Sequence, residues 1–522
     1  PNVFQKLYYA ESPVRTLVST KLSDSDDAKS AASLLLAPFR SLVPTLAYAD
    51  KGDNKHFAHL IARGEKLFFE EKFRGNGRTC GTCHPADNNF TIDPAYIATL
   101  PINDPLFVAE FKKELNSDQN GGRFFEVPQL MRQSGLILEN VDGFEDLSSK
   151  FVMRAVPHVL ALGFAIAPAT FDGTSPLVLQ RTGWGGDGAP GSGTLREFAI
   201  GAVFQHFTRT LNRAEGKDFR FPTDAELDAI EAFMRSIGRP SELNLSTLAL
   251  KNEDARAGLA SFNSQSVGKC ALCHFNAGAN HGFALPGIPL GSQNANFDTG
   301  VEDAGSHPFI GLGLFQPRDG GFGTDSSGGR TNVANPDGSF GNGTFNTPSL
   351  VEAADSPPFF HNNLVDTIEE AVGFYNTNAF NHSPAAKSQT GPINLNTTQV
   401  NQIAAFLRVI NALENIRSAK EKLTSALHGT GLPEVRQLLQ LAIVDVNDAH
   451  RVLAQAMPAP TSKGVHPIAR VFLENAKHFC ETAQATKSAM ARHFEIKAAL
   501  TALAQAKGDI VEKSNHSRDT DS

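Results

Sequence analysis

Four of the five cysteines in this chain lie in two copies of one short pattern, and that pattern constrains the fold more than any other feature. The copies are Cys80-Gly-Thr-Cys83-His84 and Cys270-Ala-Leu-Cys273-His274. Two thiols at this spacing reach the two vinyl groups of one haem as thioethers, and the adjacent histidine supplies an axial iron ligand. One such pentapeptide arises by chance in about one chain in a thousand, so two copies predict two covalently bound c-type haems.

A zinc site does not account for this spacing, because zinc sites place their Cys-x-x-Cys units close together, whereas these begin at residues 80 and 270. Bacteria attach haem c outside the cytoplasmic membrane, so the motifs predict an exported, periplasmic protein. No charged segment followed by an apolar one precedes Pro1, which favours a mature or trimmed form. Cys480 is predicted as a buried structural thiol, with a redox or ligand role as the alternative.

Charge and composition exclude several classes of partner. The 522 residues carry a formal net charge of -8, and the two signs are mixed, which leaves no basic face for nucleic acid or for an anionic membrane surface. No apolar run approaches the roughly 18 residues that would span a bilayer. Five methionines, five tyrosines and one tryptophan leave few candidates for any site that needs these residues.

The helical periodicity and the two motifs predict a mainly α fold with two cytochrome c-like haem domains, long loops and a C-terminal helical bundle extension. Apolar residues at 435, 439, 442, 446, 449 and 453 form one continuous helical stripe in that extension. The predicted units are an N-terminal strap (1–54), a first cytochrome c-like domain (55–245), a second cytochrome c-like domain (246–415), the helical extension (416–510) and a frayed tail (511–522).

Further motifs resemble those of a known family. They are Gly-x-x-Leu-Phe-Phe before the first cysteine pair, Phe345-Asn-Thr-Pro-Ser-Leu350, Pro357-Pro-Phe-Phe-His361-Asn-Asn and Thr367-Ile-Glu-Glu-Ala-Val-Gly-Phe-Tyr-Asn376. Together they resemble the di-haem bacterial cytochrome c peroxidase superfamily, which also contains MauG and the rubber oxygenases. The resemblance covers roughly residues 55 to 415, so it explains neither the strap nor the C-terminal helices.

The resemblance implies different roles for the two haems. The first, on His84, would be high-spin and would react with peroxide or oxygen, and the second, on His274, would be low-spin and would relay electrons. Trp184 matches the tryptophan that lies between the haems in family members, with a core packing role as the alternative. Arg154, in Arg-Ala-Val-Pro, resembles the family's Arg-Asn-Ala-Pro and would pair with a haem propionate, unless it forms an ordinary ion pair.

Two further metal ligands are implied by the resemblance. The segment after Phe-Tyr-Asn carries the second axial ligand of the second haem in family members, and here it contains His382 as its one strong iron ligand. We therefore predict a His274 and His382 pair, with His361 as the rival. Family members often hold a calcium ion through carbonyls near Thr-Pro-Ser-Leu, so Asn346 and Pro348 are candidate Ca²⁺ ligands.

The pocket of the first haem departs from the family's peroxidase pattern. Peroxidases of the family carry Leu-x-x-Gln-Ala-x-Gly-Pro-x-x-Asn-Pro-x-Glu, whose Gln and Glu handle the protons of peroxide cleavage. The segment from Leu195 aligns with it without a gap, so that Phe198 replaces the Gln, Ala202 the Pro and Thr208 the Glu. Fast peroxide turnover then depends on whether Gln205 or His206 faces the pocket.

Three classes of function remain open on these grounds. The first is a di-haem peroxidase or MauG-like oxidoreductase that reacts with hydrogen peroxide or oxygen and takes electrons from a redox protein or an organic substrate. The second is a rubber-oxygenase-like dioxygenase that cleaves an organic substrate. The third, a non-catalytic electron carrier, is disfavoured because carriers need only about 100 residues per haem. The sequence predicts the first class, with peroxide reactivity but slow turnover.

Overall fold

The computed structural model describes residues 54–115, 125–139, 152–165, 195–282, 290–291, 296–305, 319, 344–429, 431–455 and 464–512. The described part is mainly helical, which confirms the predicted fold class. Its helices are α1 (Asn54–Glu70), α2 (Cys80–Cys83), α3 (Pro94–Thr99), α4 (Val108–Phe111), α5 (Pro128–Ser134), α6 (Leu162–Ala165), α7 (Leu195–His206), α8 (Asp224–Met234), α9 (Glu253–Asn263), α10 (Ile368–Phe374), α11 (Asn378–Asn381), α12 (Thr397–His428), α13 (Leu432–Gln455), α14 (Pro467–Ala485) and α15 (Ala489–Ile510).

Short strands and single helical turns complete the described elements. Strands β1 (Leu136–Glu139) and β2 (Val152–Ala155) pair antiparallel, as do β3 (Asn296–Phe297) and β4 (Phe345–Asn346). The turns are 3₁₀ helices at Pro105–Phe107, Leu245–Thr247, Cys270–Leu272, Phe275–Ala277, Val301–Asp303 and Ala353–Asp355, and a π-helical turn at Ala386–Thr390.

The two motif-bearing units repeat one helix-packing contact. Helix α1 packs on α8, and a Cβ on Gly64 would lie 1.8 Å from the carbonyl oxygen of Ala229 and 2.8 Å from the Phe233 Cβ. Because only glycine permits this approach, Phe68, one turn after Gly64, reaches Phe233 with ring centroids 5.1 Å apart. The buried rings of Phe68 and Phe233 therefore pack against each other where α1 meets α8, shortly before the first motif.

The second unit makes the same contact with α9 and α12. A Cβ on Gly258 would lie 1.9 Å from the carbonyl oxygen of Gln402 and 2.9 Å from the Phe406 Cβ. Phe262, again one turn after the glycine, packs on Phe406 with centroids 5.3 Å apart. The duplicated motif is therefore accompanied by a duplicated helix pair.

The C-terminal helices form the predicted bundle. Helix α12 packs on α13, α13 on α14, and α14 on α15, and all six positions of the predicted stripe on α13 are buried. One apolar core extends from Leu245 to Ile510, and α12 runs without a break through residue 415, where a domain boundary was predicted. The second unit and the bundle thus share a helix and a core.

Cys480 lies in this core with no exposed surface, and burial raises the pKa of its thiol to about 12. The predicted burial is confirmed, and the structural role stays a prediction. The predicted strap lies outside the described residues apart from Asn54, and so does the tail after Glu512. None of the described helices combines the length and the apolar character that crossing a bilayer requires.

Candidate di-haem cavity

Both Cys-x-x-Cys-His motifs line the same cavity, which has a volume of about 410 Å³. All four motif cysteines and both motif histidines contribute to its wall, and most of the remaining lining is apolar. The first cysteine pair lies on the single turn of α2, and the second lies on and just after the turn Cys270–Leu272. Motifs that are far apart in the sequence are therefore neighbours in space.

The His84 side chain has a fixed orientation. Its Nδ1 lies 2.8 Å from the Phe90 carbonyl oxygen, and a carbonyl can only accept, so Nδ1 carries the proton. The other ring nitrogen, Nε2, therefore keeps its lone pair. Burial, with a smaller contribution from His206, lowers the pKa of His84 to about 4, so the ring is neutral at physiological pH and suited to ligating a metal.

His274 has the same arrangement. Its Nδ1 lies 3.1 Å from the carbonyl oxygen of Pro348 and 3.3 Å from that of Gly278. Burial lowers the pKa of this ring also to about 4. Backbone carbonyls that fix the tautomer of a histidine in this way are typical of metal-ligating histidines.

The four motif cysteines are free thiols in the structure. Burial raises the pKa of Cys80, Cys270 and Cys273 to about 12 and that of Cys83 to about 11. Among the described residues, no three or more His, Cys, Asp or Glu side chains are grouped as a zinc site would require. Two pairs of thiols, two neutral imidazoles with free Nε2 lone pairs and an apolar cavity fit two covalently bound haems.

One face of α7 lines the cavity beside the first motif. Phe198, Gln205 and His206 all contribute to the wall, together with Ala199 and Ala202. Counted from Phe198, the other four residues lie one, four, seven and eight positions further along, which places all five on one side of the helix. Thr208 is not among the lining residues, and its hydroxyl donates to the Thr210 carbonyl oxygen at 2.6 Å. The described polar side chains of α7 that line the cavity are thus Gln205 and His206.

Among the wall residues that were not predicted as site residues are His158 and Tyr375. His158 lines the cavity, and burial, with a smaller contribution from His84, lowers its pKa to about 4. Its position directly after Arg-Ala-Val-Pro could have drawn attention to it. Tyr375 also lines the cavity, and burial, with smaller contributions from Cys273 and Cys270, raises its pKa above the usual range.

Arg154 is already paired. Its Nε and Nη2 lie 2.5 and 2.6 Å from the two carboxylate oxygens of Asp319, and both residues are buried. The guanidinium also lies over the Phe345 ring, with its carbon 5.3 Å from the ring centroid. For Arg154 the sequence left two possibilities, a haem propionate or an ordinary ion pair, and the structure contains the ion pair. A contact between Arg154 and a haem propionate stays a prediction. Trp184, which was predicted to lie between the haems, is outside the described residues.

The two rival histidines for the second haem lie in different surroundings. His361 lines the cavity, stacks on Phe345 with ring centroids 3.7 Å apart, and pairs with Glu302 through Nε2 at 2.7 Å. His382 is exposed at the end of α11, and its Nδ1 donates to the Asn378 carbonyl oxygen at 2.9 Å. The cavity is lined by Phe380 and Ala385, on either side of His382, but not by His382 itself.

The candidate Ca²⁺ ligands also line the cavity. Asn346 lies on β4, and the Pro348 carbonyl oxygen is 3.1 Å from the His274 Nδ1. This carbonyl therefore already acts as a hydrogen-bond acceptor for a motif histidine. Calcium binding at Asn346 and Pro348 stays a prediction.

Comparisons with known proteins add little to this geometry. No family model matches the chain, and no curated protein matches it. Among solved structures the chain is similar to the diheme peroxidase BthA from Burkholderia thailandensis E264, with a TM-score of 0.32 and 16% sequence identity over 67% of this chain and 85% of that one.

Proposed function

We propose that this protein is a di-haem c-type oxidoreductase of the peroxidase and MauG type. The observation that carries the proposal is that two Cys-x-x-Cys-His motifs line one cavity, each with a neutral histidine whose Nδ1 is held by a backbone carbonyl. Cys80 and Cys83 would hold the first haem and Cys270 and Cys273 the second, with His84 and His274 as axial ligands. Haem supplies redox chemistry with peroxide or oxygen at the first site and electron relay at the second.

Residues of the cavity would divide the remaining tasks. Gln205 and His206 would hold and move protons beside the first site, whereas Phe198 offers only apolar contact. His382 would complete the second site by turning into the cavity between Phe380 and Ala385, and bis-histidine ligation would give a lower potential than a Met and His pair. Trp184 would connect the two sites, and Asn346 and Pro348 would bind Ca²⁺.

The same proposal includes the location of the protein in the cell and the residue ranges of its haem-binding units. Haem c attachment implies a periplasmic protein. The first haem belongs to residues 55–245 and the second to residues 246–415, with 416–510 as the helical extension. The electron donor would be a redox protein or an organic substrate, and the oxidant hydrogen peroxide or oxygen.

Phe198 favours a second candidate function. A phenyl ring in place of the peroxidase glutamine makes this part of the wall apolar, and such a pocket resembles that of the rubber oxygenases. A dioxygenase that cleaves an apolar organic substrate is therefore the alternative.

Peroxide addition to the reduced protein distinguishes these functions. We expect the absorption spectrum of the first haem to change with one equivalent of peroxide. Steady-state turnover with a reduced cytochrome should stay slow, because Phe198 replaces the glutamine of the family's peroxidases and leaves proton transfer to His206 and Gln205 alone. Oxygen consumption without any response to peroxide would support the oxygenase instead. Two six-coordinate haems that respond to neither oxidant would show an electron carrier.

A further inference from the structure

The loop after the first motif has an unfavourable backbone conformation. Asn89 and Phe90 both have φ of +54°, in the left-handed region. Asparagine tolerates this region, but phenylalanine does so rarely, and two successive residues there need support from the surrounding structure. This conformation matters because the Phe90 carbonyl accepts the hydrogen bond from His84 Nδ1–H.

Besides the local hydrogen bond from the Phe90 N–H to the Pro85 carbonyl at 3.0 Å, the loop is supported by distant parts of the chain. The Asn89 side-chain Nδ2 donates to the backbone carbonyl of Asp355 at 3.1 Å and to Asp448 Oδ2 at 3.3 Å. Asp448 lies on α13 of the C-terminal bundle, and its other oxygen accepts from Arg451 Nη2 at 2.8 Å. The acceptor on the bundle is thus held in place by its own ion pair.

Asp355 is fixed by the bundle as well. Its Oδ2 accepts from the side-chain amides of Asn411 and Asn415 on α12, each at 2.7 Å. Its backbone N–H donates to Asn411 Oδ1 at 3.2 Å. Asp355 is buried, so the carbonyl that receives Asn89 has little freedom to move.

The second motif is followed by the same backbone conformation with different support. Asn276 and Ala277 have φ of +52° and +59°. The Leu245 N–H donates to Asn276 Oδ1 at 3.3 Å, and the Leu350 N–H donates to the Ala277 carbonyl at 2.8 Å. Neither leucine belongs to the bundle, so the described contacts from Asp448, Asn411 and Asn415 distinguish the first site from the second.

We propose that Asp448 and Asp355 are positioning residues for the first haem site, through which the C-terminal bundle holds Asn89 and keeps the Phe90 carbonyl against His84. This inference rests on the proposed function, because the effect on a haem presupposes that His84 ligates one. A carbonyl held close to Nδ1–H raises the basicity of the ligating nitrogen and so lowers the potential of the iron. The extension, which the family resemblance does not explain, would then tune the reactive site.

The test compares Asp448→Ala and Asn89→Ala with the unchanged holoprotein. We expect the midpoint potential of the first haem to rise while that of the second stays unchanged. Hydrogen exchange of the amides in residues 85–92 should become about tenfold faster in Asn89→Ala, which loses both hydrogen bonds of the Asn89 side chain. In Asp448→Ala, which loses one of them, exchange should become faster by a smaller factor. Asp448→Asn keeps an acceptor for Asn89 and should restore most of both properties. Asn447→Ala, an exposed amide on the same helix, is the matched control.

Two results would overturn the inference in a protein that carries both haems. One is an unchanged first-haem potential with unchanged exchange in both alanine variants, and the other is an equal shift of the two potentials, which would indicate general loosening. A protein without haem would refute the proposed function instead, and the exchange measurement would still decide whether the bundle holds the loop. If Asn89→Ala prevents haem attachment, Asp448→Ala, on a distant helix, decides the matter.

Discussion

In the His206→Ala protein, the rate of peroxide cleavage should fall by about 10² to 10⁴-fold, the loss expected when a positioned proton-transfer group is removed. The physical reason is that Phe198 and Thr208 offer no proton transfer into the cavity, so this task falls to His206 and Gln205 on the lining face of α7. Stopped-flow mixing of the reduced protein with peroxide measures the rate directly.

Two further variants make that result interpretable. His428→Ala changes an exposed histidine at the end of α12 and should leave the rate unchanged. Phe198→Gln introduces the amide found in the family's peroxidases and should raise the rate. A fast peroxidase rate that is insensitive to His206→Ala and to Gln205→Ala would show that α7 does not form the reactive pocket.

The Glu126→Ala protein should lose about 3–5 kcal/mol of unfolding free energy, because the change leaves the Arg78 guanidinium buried without its partner. Arg78 Nη1 and Nη2 lie 2.6 and 2.7 Å from the two Glu126 oxygens, and both side chains are at most 1% exposed. Arg78 Nε also donates to the Pro105 carbonyl at 3.2 Å, so this pair connects the segment before Cys80 to the turn Pro105–Phe107.

Glu110→Ala is the matched control for that loss. It breaks a similar two-bond pair with Arg132, at 2.8 and 3.1 Å, but one whose side chains are 28% and 35% exposed. An exposed pair contributes at most about 1 kcal/mol, so the two variants should differ clearly in chemical denaturation followed by circular dichroism. Equal losses in the two variants would contradict the expectation for Glu126.

The parts that the sequence predicted are those with a local pattern. The two motifs that line the cavity have a fixed cysteine spacing, and the α13 stripe has a fixed apolar spacing, so both are visible in a few residues. The close helix pairs also have a pattern in the sequence, because a glycine is followed four residues later by a phenylalanine before each motif. These residues are Gly64 and Phe68, and Gly258 and Phe262.

The parts that the sequence did not predict depend on backbone atoms and on distant residues. The Phe90 and Pro348 carbonyls that orient the two histidines belong to no recognisable residue type, because every residue has a carbonyl. Asn89 contacts residues 266 and 359 positions away, and no local pattern encodes such a contact. His158 follows the Arg-Ala-Val-Pro motif directly, which marks the position, but the motif does not indicate that the His158 ring reaches the cavity wall.

The intact mass of the denatured, purified protein tests the central claim most directly, because thioether bonds survive unfolding whereas other bound haem is lost. We expect the chain to carry the mass of two haems, and Cys80→Ala and Cys270→Ala each to lower that number or to prevent maturation. A denatured chain with the mass of the polypeptide alone, or with a single haem, would contradict the di-haem account.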